Sequence, residues 1–209
     1  MTTVNHFIFG LLVGFIGVIP PGLLNLTAAK ISVKQSRRAA TIFAFGASLV
    51  VIAQVYVGVF FSKLLNDNPD VLVTLEQFAI AVFIALSIFF FIKARLDSSP
   101  ELKPVDKSDG KLFGQGIILS ALNIFPIPFY IGFSSFLAQR GLFTFEYPMA
   151  HLFIIGASLG TFSMLWIYIK YVNKFGFDSR TFASKINYTL SVLTLCIALF
   201  TLSRLYNVF

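Results

Sequence analysis

Charge is scarce in this chain. Asp, Glu, Lys and Arg make up 12% of its 209 residues, against 57% hydrophobic residues. An ordinary soluble domain carries about 25% charged residues, so this chain cannot cover a soluble surface and lipid must cover much of it. Cysteine is almost absent. The single thiol, Cys196, excludes an internal disulfide, a cysteine zinc site and a redox pair, and its apolar surroundings suit a buried inert thiol. Histidine is limited to His6 and His151, which leaves no His-rich metal motif. A Gly-Xaa-Ser-Xaa-Gly elbow and a mid-run aspartate pair are also missing, so no intramembrane enzyme is recognisable and no cofactor is implied. Residues Met1 to His6 contain no Lys or Arg. The positive region of a cleavable signal is therefore missing, and the first apolar run reads as part of the mature chain.

Long apolar runs dominate instead. Six are visible, over about residues 7–29, 39–61, 71–92, 112–138, 148–171 and 186–205. Each is long enough to cross a hydrocarbon core of about 30 Å as a helix. The expectation is one all-α integral membrane domain of six transmembrane helices. The longest polar link, residues 95–111, reads RLDSSPELKPVDKSDGK. Its Ser, Pro, Asp and Lys predict a flexible connector between a first half, 1–94, and a second half, 112–209.

The net charge of +7 does not point to nucleic acid, because the basic residues sit in short loops that carry topology signals. Lys30, Lys34, Arg37 and Arg38 follow the first run. Lys93, Arg95, Lys103, Lys107 and Lys111 follow the third, and Lys170, Lys174, Arg180 and Lys185 follow the fifth. The opposite side holds only Lys63, Arg140 and Arg204. This asymmetry makes the first, third and fifth loops cytoplasmic and both termini extracytoplasmic, in a multi-pass protein of the plasma (inner) membrane.

The two halves echo each other. The first run carries GFIGVIPPGLLNLTAA and the fourth GQGIILSALNIFPIPFYIGF. Each has small residues, an asparagine (Asn25, Asn123) and two prolines (Pro20 and Pro21; Pro126 and Pro128). Gly-Ala-Ser-Leu then recurs at Gly46 and Gly156. From Pro20 to Pro126 and from Gly46 to Gly156 the offsets are 106 and 110 residues. Three helices per half is an odd number, so the second half enters the membrane inverted, a pattern found in secondary transporters.

Proline removes a backbone donor and breaks a helix. In lipid such a break survives only where protein or a polar cavity satisfies the freed groups. Matched breaks at Pro20, Pro21, Gly22 and at Pro126, Pro128 therefore mark a candidate solute site. A half-helix opening after Gly22, and another from Phe129 onward, would point free N–H groups at a carboxylate. Asn25 and Asn123 either read a polar solute or satisfy unwound backbone. Gly46 and Gly156, with Ser48 and Ser158, are candidates for helix packing or site lining. Ser120 and Thr27 add hydroxyls. Glu76 and His151 are the candidates for proton coupling, although they, His6, Gln54 and Gln77 fall near the outer interface, where an ordinary polar role is the simpler reading. The absence of a deep carboxylate disfavours a strongly cationic substrate.

At these motifs the chain resembles the LysE/RhtB superfamily of amino-acid exporters. The resemblance rests on the six-run layout, the small residues leading to Pro20-Pro21-Gly22, the basic loop KISVKQSRRA, and Phe113, Gly114 and Gly116 opening the fourth run. It departs where Leu23 replaces a second family proline and where Ile124 and Phe125 separate Asn123 from Pro126. The resemblance implies export of an amino acid or related small zwitterionic metabolite, driven by the proton gradient. The rival readings are a divalent metal-ion exporter, for which the asparagines supply only neutral oxygens, and a non-transporting membrane assembly protein, which has no need of matched breaks. Homo-oligomerisation stays open at this level.

The topology is tested by placing an impermeant-reagent tag at either terminus in intact cells. Both tags should react from outside. A cytoplasmic location for both would overturn the charge argument.

Overall fold

Backbone N–H and C=O groups find no partner in hydrocarbon, so an apolar chain satisfies them along its own helix axes. The computed structural model is helical, with no strand among the described residues. Those residues are 3–20, 22–95, 108–171 and 179–205, with side chains described for all of them except 69–79, 82, 93, 179–187, 190 and 204–205. Pro21, the Glu76 and Gln77 side chains and the linker from 96 to 107 lie outside that description.

The helices are α1 (Thr3–Gly17), α2 (Leu23–Lys34), α3 (Arg37–Asp67), α4 (Pro69–Arg95), α5 (Asp109–Ala121), α6 (Pro126–Gln139), α7 (Met149–Tyr171) and α8 (Ser179–Leu205). Each apolar run falls on helix, and the first and fourth fall on two helices each, divided at the prolines. α3 and α7 are individually long and apolar enough to cross a membrane. α5 and α6 reach that length together, bent by 62° at their break. The described apolar stretches of α4 and α8 are shorter, Phe83–Ile92 and Ser191–Ser203. The expected linker is narrower than residues 95–111, because α4 runs through Arg95 and α5 begins at Asp109.

The chain packs as two units, Met1–Leu64 with Leu102–Gly176, and Leu65–Glu101 with Phe177–Phe209. Each draws on both halves of the sequence. In the first unit, α1 meets α7 backbone to backbone. A Cβ on Gly10 or Gly14 would lie under 3.0 Å from the main chain of Phe153 or Ala157. From the other side, a Cβ on Gly156 or Gly160 would strike the main chain at Phe7, Leu11 and Phe15. α3 and α5 cross in the same way, Gly46 against the Phe113 carbonyl and Gly116 against Phe43 and Ala47. Lipid gives two apolar helices no hydrophobic reason to associate, so close van der Waals approach at small residues does the holding. Around these crossings the core is apolar, with Phe43, Phe153, Ile31 and Leu112 fully buried. In the second unit, α4 and α8 are joined by a reciprocal pair. The Ser87 hydroxyl donates to the Ser191 carbonyl at 2.9 Å, and the Ser191 hydroxyl to the Ser87 carbonyl at 2.9 Å.

Local rules set the helix ends. Ser36 caps α3 by accepting the Ala39 N–H at 3.1 Å, the usual N-cap bond. α6 closes with Gly141 at φ +66, where a side chain is unfavourable. The Leu142 N–H donates to the Leu137 carbonyl at 2.8 Å and the Gly141 N–H to that of Ala138 at 2.9 Å, which makes a Schellman turn. The turn drives Phe143 into the core beside Phe153 and His6. His6 lies inside α1, 1% exposed, and its Nε2 accepts the Thr144 N–H at 3.2 Å. It is packed against protein rather than turned outward. The reason is a shared helix face, since His6, Gly10 and Gly14 recur every four residues and all turn inward.

Gly156→Ala should cost about 1–3 kcal/mol, the range for overpacking a filled interior. Gly132→Ala, with nothing within 4 Å of its would-be Cβ, should be neutral or stabilising. Thermal unfolding of the purified protein in detergent separates the two. Equal effects would remove the backbone crossing as the source of the cost.

Candidate functional site

At the first break, α1 stops at Gly17 and α2 starts at Leu23. The carbonyls freed between them turn inward and are taken up by two side chains. Asn25, 3% exposed, donates its amide nitrogen to the Val18 carbonyl at 2.7 Å and more weakly to that of Pro20 at 3.4 Å. Tyr168 on α7 donates its hydroxyl to the Ile19 carbonyl at 2.7 Å and also meets the Asn25 side chain. On the far side of the break, Gly22 leads extended into α2 with no side-chain cap. The N–H groups of Leu23, Leu24 and Asn25 have no partner among the described residues. An uncapped first turn of this kind favours an anionic group.

The second break is built differently. α5 stops at Ala121 and α6 starts at Pro126, so Pro126 and Pro128 both fall within the first turn of α6 and carry no N–H. The two remaining donors are used: Ile127 donates to the Ile124 carbonyl at 3.2 Å and Phe129 to that of Phe125 at 3.4 Å. The free N–H groups expected from Phe129 onward are therefore not there. What the second break presents is oxygen. Gln54 on α3, 6% exposed, donates its amide nitrogen to the carbonyls of Ser120 at 2.9 Å and Asn123 at 2.8 Å. The backbone of this break is thus held by a residue from another helix.

The two asparagines do not correspond. Asn25 follows its break and is buried, whereas Asn123 sits inside its own, half-buried, with its main chain rather than its side chain engaged. Pro20 and Pro128 are exposed, Pro126 half-buried. Gly46 and Gly156 serve the two helix crossings described above. Ser48 donates back to the Ala44 carbonyl at 2.8 Å, and Ser158 donates to the Ser48 carbonyl at 2.7 Å, tying α7 to α3. His151 is exposed in the first turn of α7 against the Tyr147 ring, 5.2 Å between centroids. The end of α1 approaches the first turn of α6, where Gly17 abuts the Phe129 ring.

Three buried side-chain atoms lack a hydrogen-bond partner among the described residues: Thr27 Oγ1, Gln54 Oε1 and Ser120 Oγ. All three belong to the broken spans or to the residue that braces one. Among the described residues, no group of three His, Cys, Asp or Glu side chains comes together.

A family model for the LysE type translocator matches residues 15–205, both breaks included. The chain belongs to the LysE type translocator family. It is therefore a membrane transport protein. No curated protein and no solved structure matches the chain.

Gln54 and Tyr168 carry weight that the sequence reading did not assign to them. A signal for Gln54 existed. It shares a stripe of α3 with Ala47, Val51 and Gly58, all inward-facing, and a glutamine on such a stripe needs a partner. Tyr168 had no comparable mark.

If Asn25 and Tyr168 brace the first break, Asn25→Leu should lower stability by about 1–3 kcal/mol, the cost of leaving buried carbonyls unpaired. Tyr168→Phe should cost less, and the double variant should fall short of additivity because both act on one segment. Unfolding of the solute-free protein tests this. An unchanged Asn25→Leu midpoint would mean that the side chain serves a solute and not the backbone.

Proposed function

We propose that this translocator exports a small zwitterionic metabolite, an amino acid or a close relative, through a site formed at its two helix breaks. The carrying observation is chemical opposition between the breaks. One ends in unpartnered N–H groups at Leu23, Leu24 and Asn25, suited to a carboxylate. The other ends in unpartnered oxygens at Gln54 and Ser120, suited to a donor. A zwitterion complements both, and neither break supplies the charge that a strongly cationic solute would need.

Six spans arranged as two inverted three-helix repeats are part of this reading. The glycine crossings support it. Gly156 abuts Phe7 and Gly46 abuts Phe113; Gly10 abuts Phe153 and Gly116 abuts Phe43. Adding 106 to positions in the first broken span, and 110 to positions in α3, turns each contact into the other. Such an exchange is what a two-fold relation between the halves produces. The charge asymmetry of the loops supports both termini lying outside the plasma membrane. Coupling to the proton gradient belongs to the same reading, with His151 and Glu76 as its carriers.

Export is tested by metabolite profiling of cells with and without the protein, followed by uptake into inverted vesicles under an imposed pH gradient. Accumulation of neutral amino acids in the vesicles is the expected outcome. A change in metal tolerance with amino-acid levels unmoved would favour the metal-exporter alternative. Glu76→Gln and His151→Gln should each blunt the pH dependence. If both leave it intact, neither residue carries the proton.

A further inference from the structure

Gln54 is oriented by what it holds. Its amide nitrogen faces two carbonyl oxygens, those of Ser120 and Asn123, at 2.9 and 2.8 Å. Turning the amide over would press Oε1 against both, so the nitrogen must face the break. Oε1 is thereby committed to the opposite direction. It is buried and has no partner. On the residue whose carbonyl Gln54 holds, the Ser120 hydroxyl is equally buried and equally unpartnered, with Ser120 only 1% exposed. Ser120 could have bonded back to the carbonyl four residues earlier, as Ser48 and Ser134 do on their own helices, but it does not.

Two buried oxygens without partners in an apolar interior are costly unless a donor visits them. An amide oxygen accepts only, while a hydroxyl does either. A carboxylate gains nothing from Gln54 Oε1; a group with several N–H bonds gains two partners. We propose that Gln54 and Ser120 form the ammonium-reading half of the solute site, and so fix which end of a zwitterion lies against α3 and α5. The inference rests on the export reading above and deepens it: the carboxylate end falls to the first turn of α2, where the donors are. Asn123 and the α6 prolines then have no direct part in reading the solute; they shape the break that Gln54 braces.

The cleanest variant is Ser120→Ala, which removes the hydroxyl and leaves the Ser120 carbonyl for Gln54. Purified protein is titrated with neutral α-amino acids and with the matching carboxylic acids that lack the amine, using the thermal midpoint as the binding signal. The wild type should be stabilised by amino acids at concentrations at least tenfold below those needed for the desamino acids. Ser120→Ala should lose about tenfold in amino-acid affinity, the scale of one hydrogen bond to a charged group. Its solute-free midpoint should stay level or rise, because an orphaned hydroxyl is gone. Equal binding of amino and desamino acids by the wild type overturns the proposal without needing any variant. Unchanged amino-acid affinity in Ser120→Ala, in a protein whose vesicles still transport, also overturns it and leaves the export reading standing; the oxygens would then hold water. The expected binding pattern with no flux in vesicles supports the ammonium site and refutes export. If amino acids neither bind nor move, both ideas fall.

Discussion

A broken helix in hydrocarbon must return its loose carbonyls to protein, and everything distinctive about this chain follows from that obligation. Each orphaned carbonyl in an apolar medium costs several kcal/mol. The first break meets the obligation with Asn25 and with Tyr168 from α7. The second meets it with Gln54 from α3. In both cases a bracing side chain comes from an unbroken helix. The helices α3 and α7, each long and apolar enough to cross a membrane, therefore also position the breaks. Their own placement depends on glycine: α7 against α1 and α3 against α5, at distances that only a residue without a Cβ permits.

The two breaks share paired prolines and differ in chemistry. Pro20 lies inside the first break, whereas Pro126 is the residue on which the second ends and α6 begins. Pro126 and Pro128 fall inside the first turn of α6, which strips it of donors, whereas α2 opens after Gly22 with its donors intact. Two prolines after the break instead of before the helix start are enough to change which donors the first turn carries. The two breaks thus offer distinct chemistry at their two positions in the chain.

Much of this was readable in the residues. Six apolar runs gave the helices because run length and lipid thickness leave little choice, and prolines gave the break positions because no helix absorbs two of them at mid-length. The family resemblance, read at the same motifs, agrees with the match over 15–205. What could not be read was partnership. Nothing along the chain says that the Asn25 amide turns back to Val18, that Asn123 engages through its main chain, or that a glutamine sixty-odd residues earlier braces the second break. The burial of His6 follows from the glycine face it shares with Gly10 and Gly14, a partnership with α7 that distance along the run does not reveal. The start of α6 at Pro126 rather than Phe129 was missed because proline was treated only as a helix breaker, while at the first turn it is well tolerated.

The glycine crossings have a genetic consequence. At most helix contacts a codon has conservative neighbours, and drift among Leu, Ile, Val and Met keeps a family's sequences diverse. At Gly10, Gly14, Gly156 and Gly160 every missense change adds a Cβ where another main chain already lies. These four codons have no conservative neighbour at all, so in a saturating variant library they should be the most depleted positions of their helices, whatever solute the protein moves.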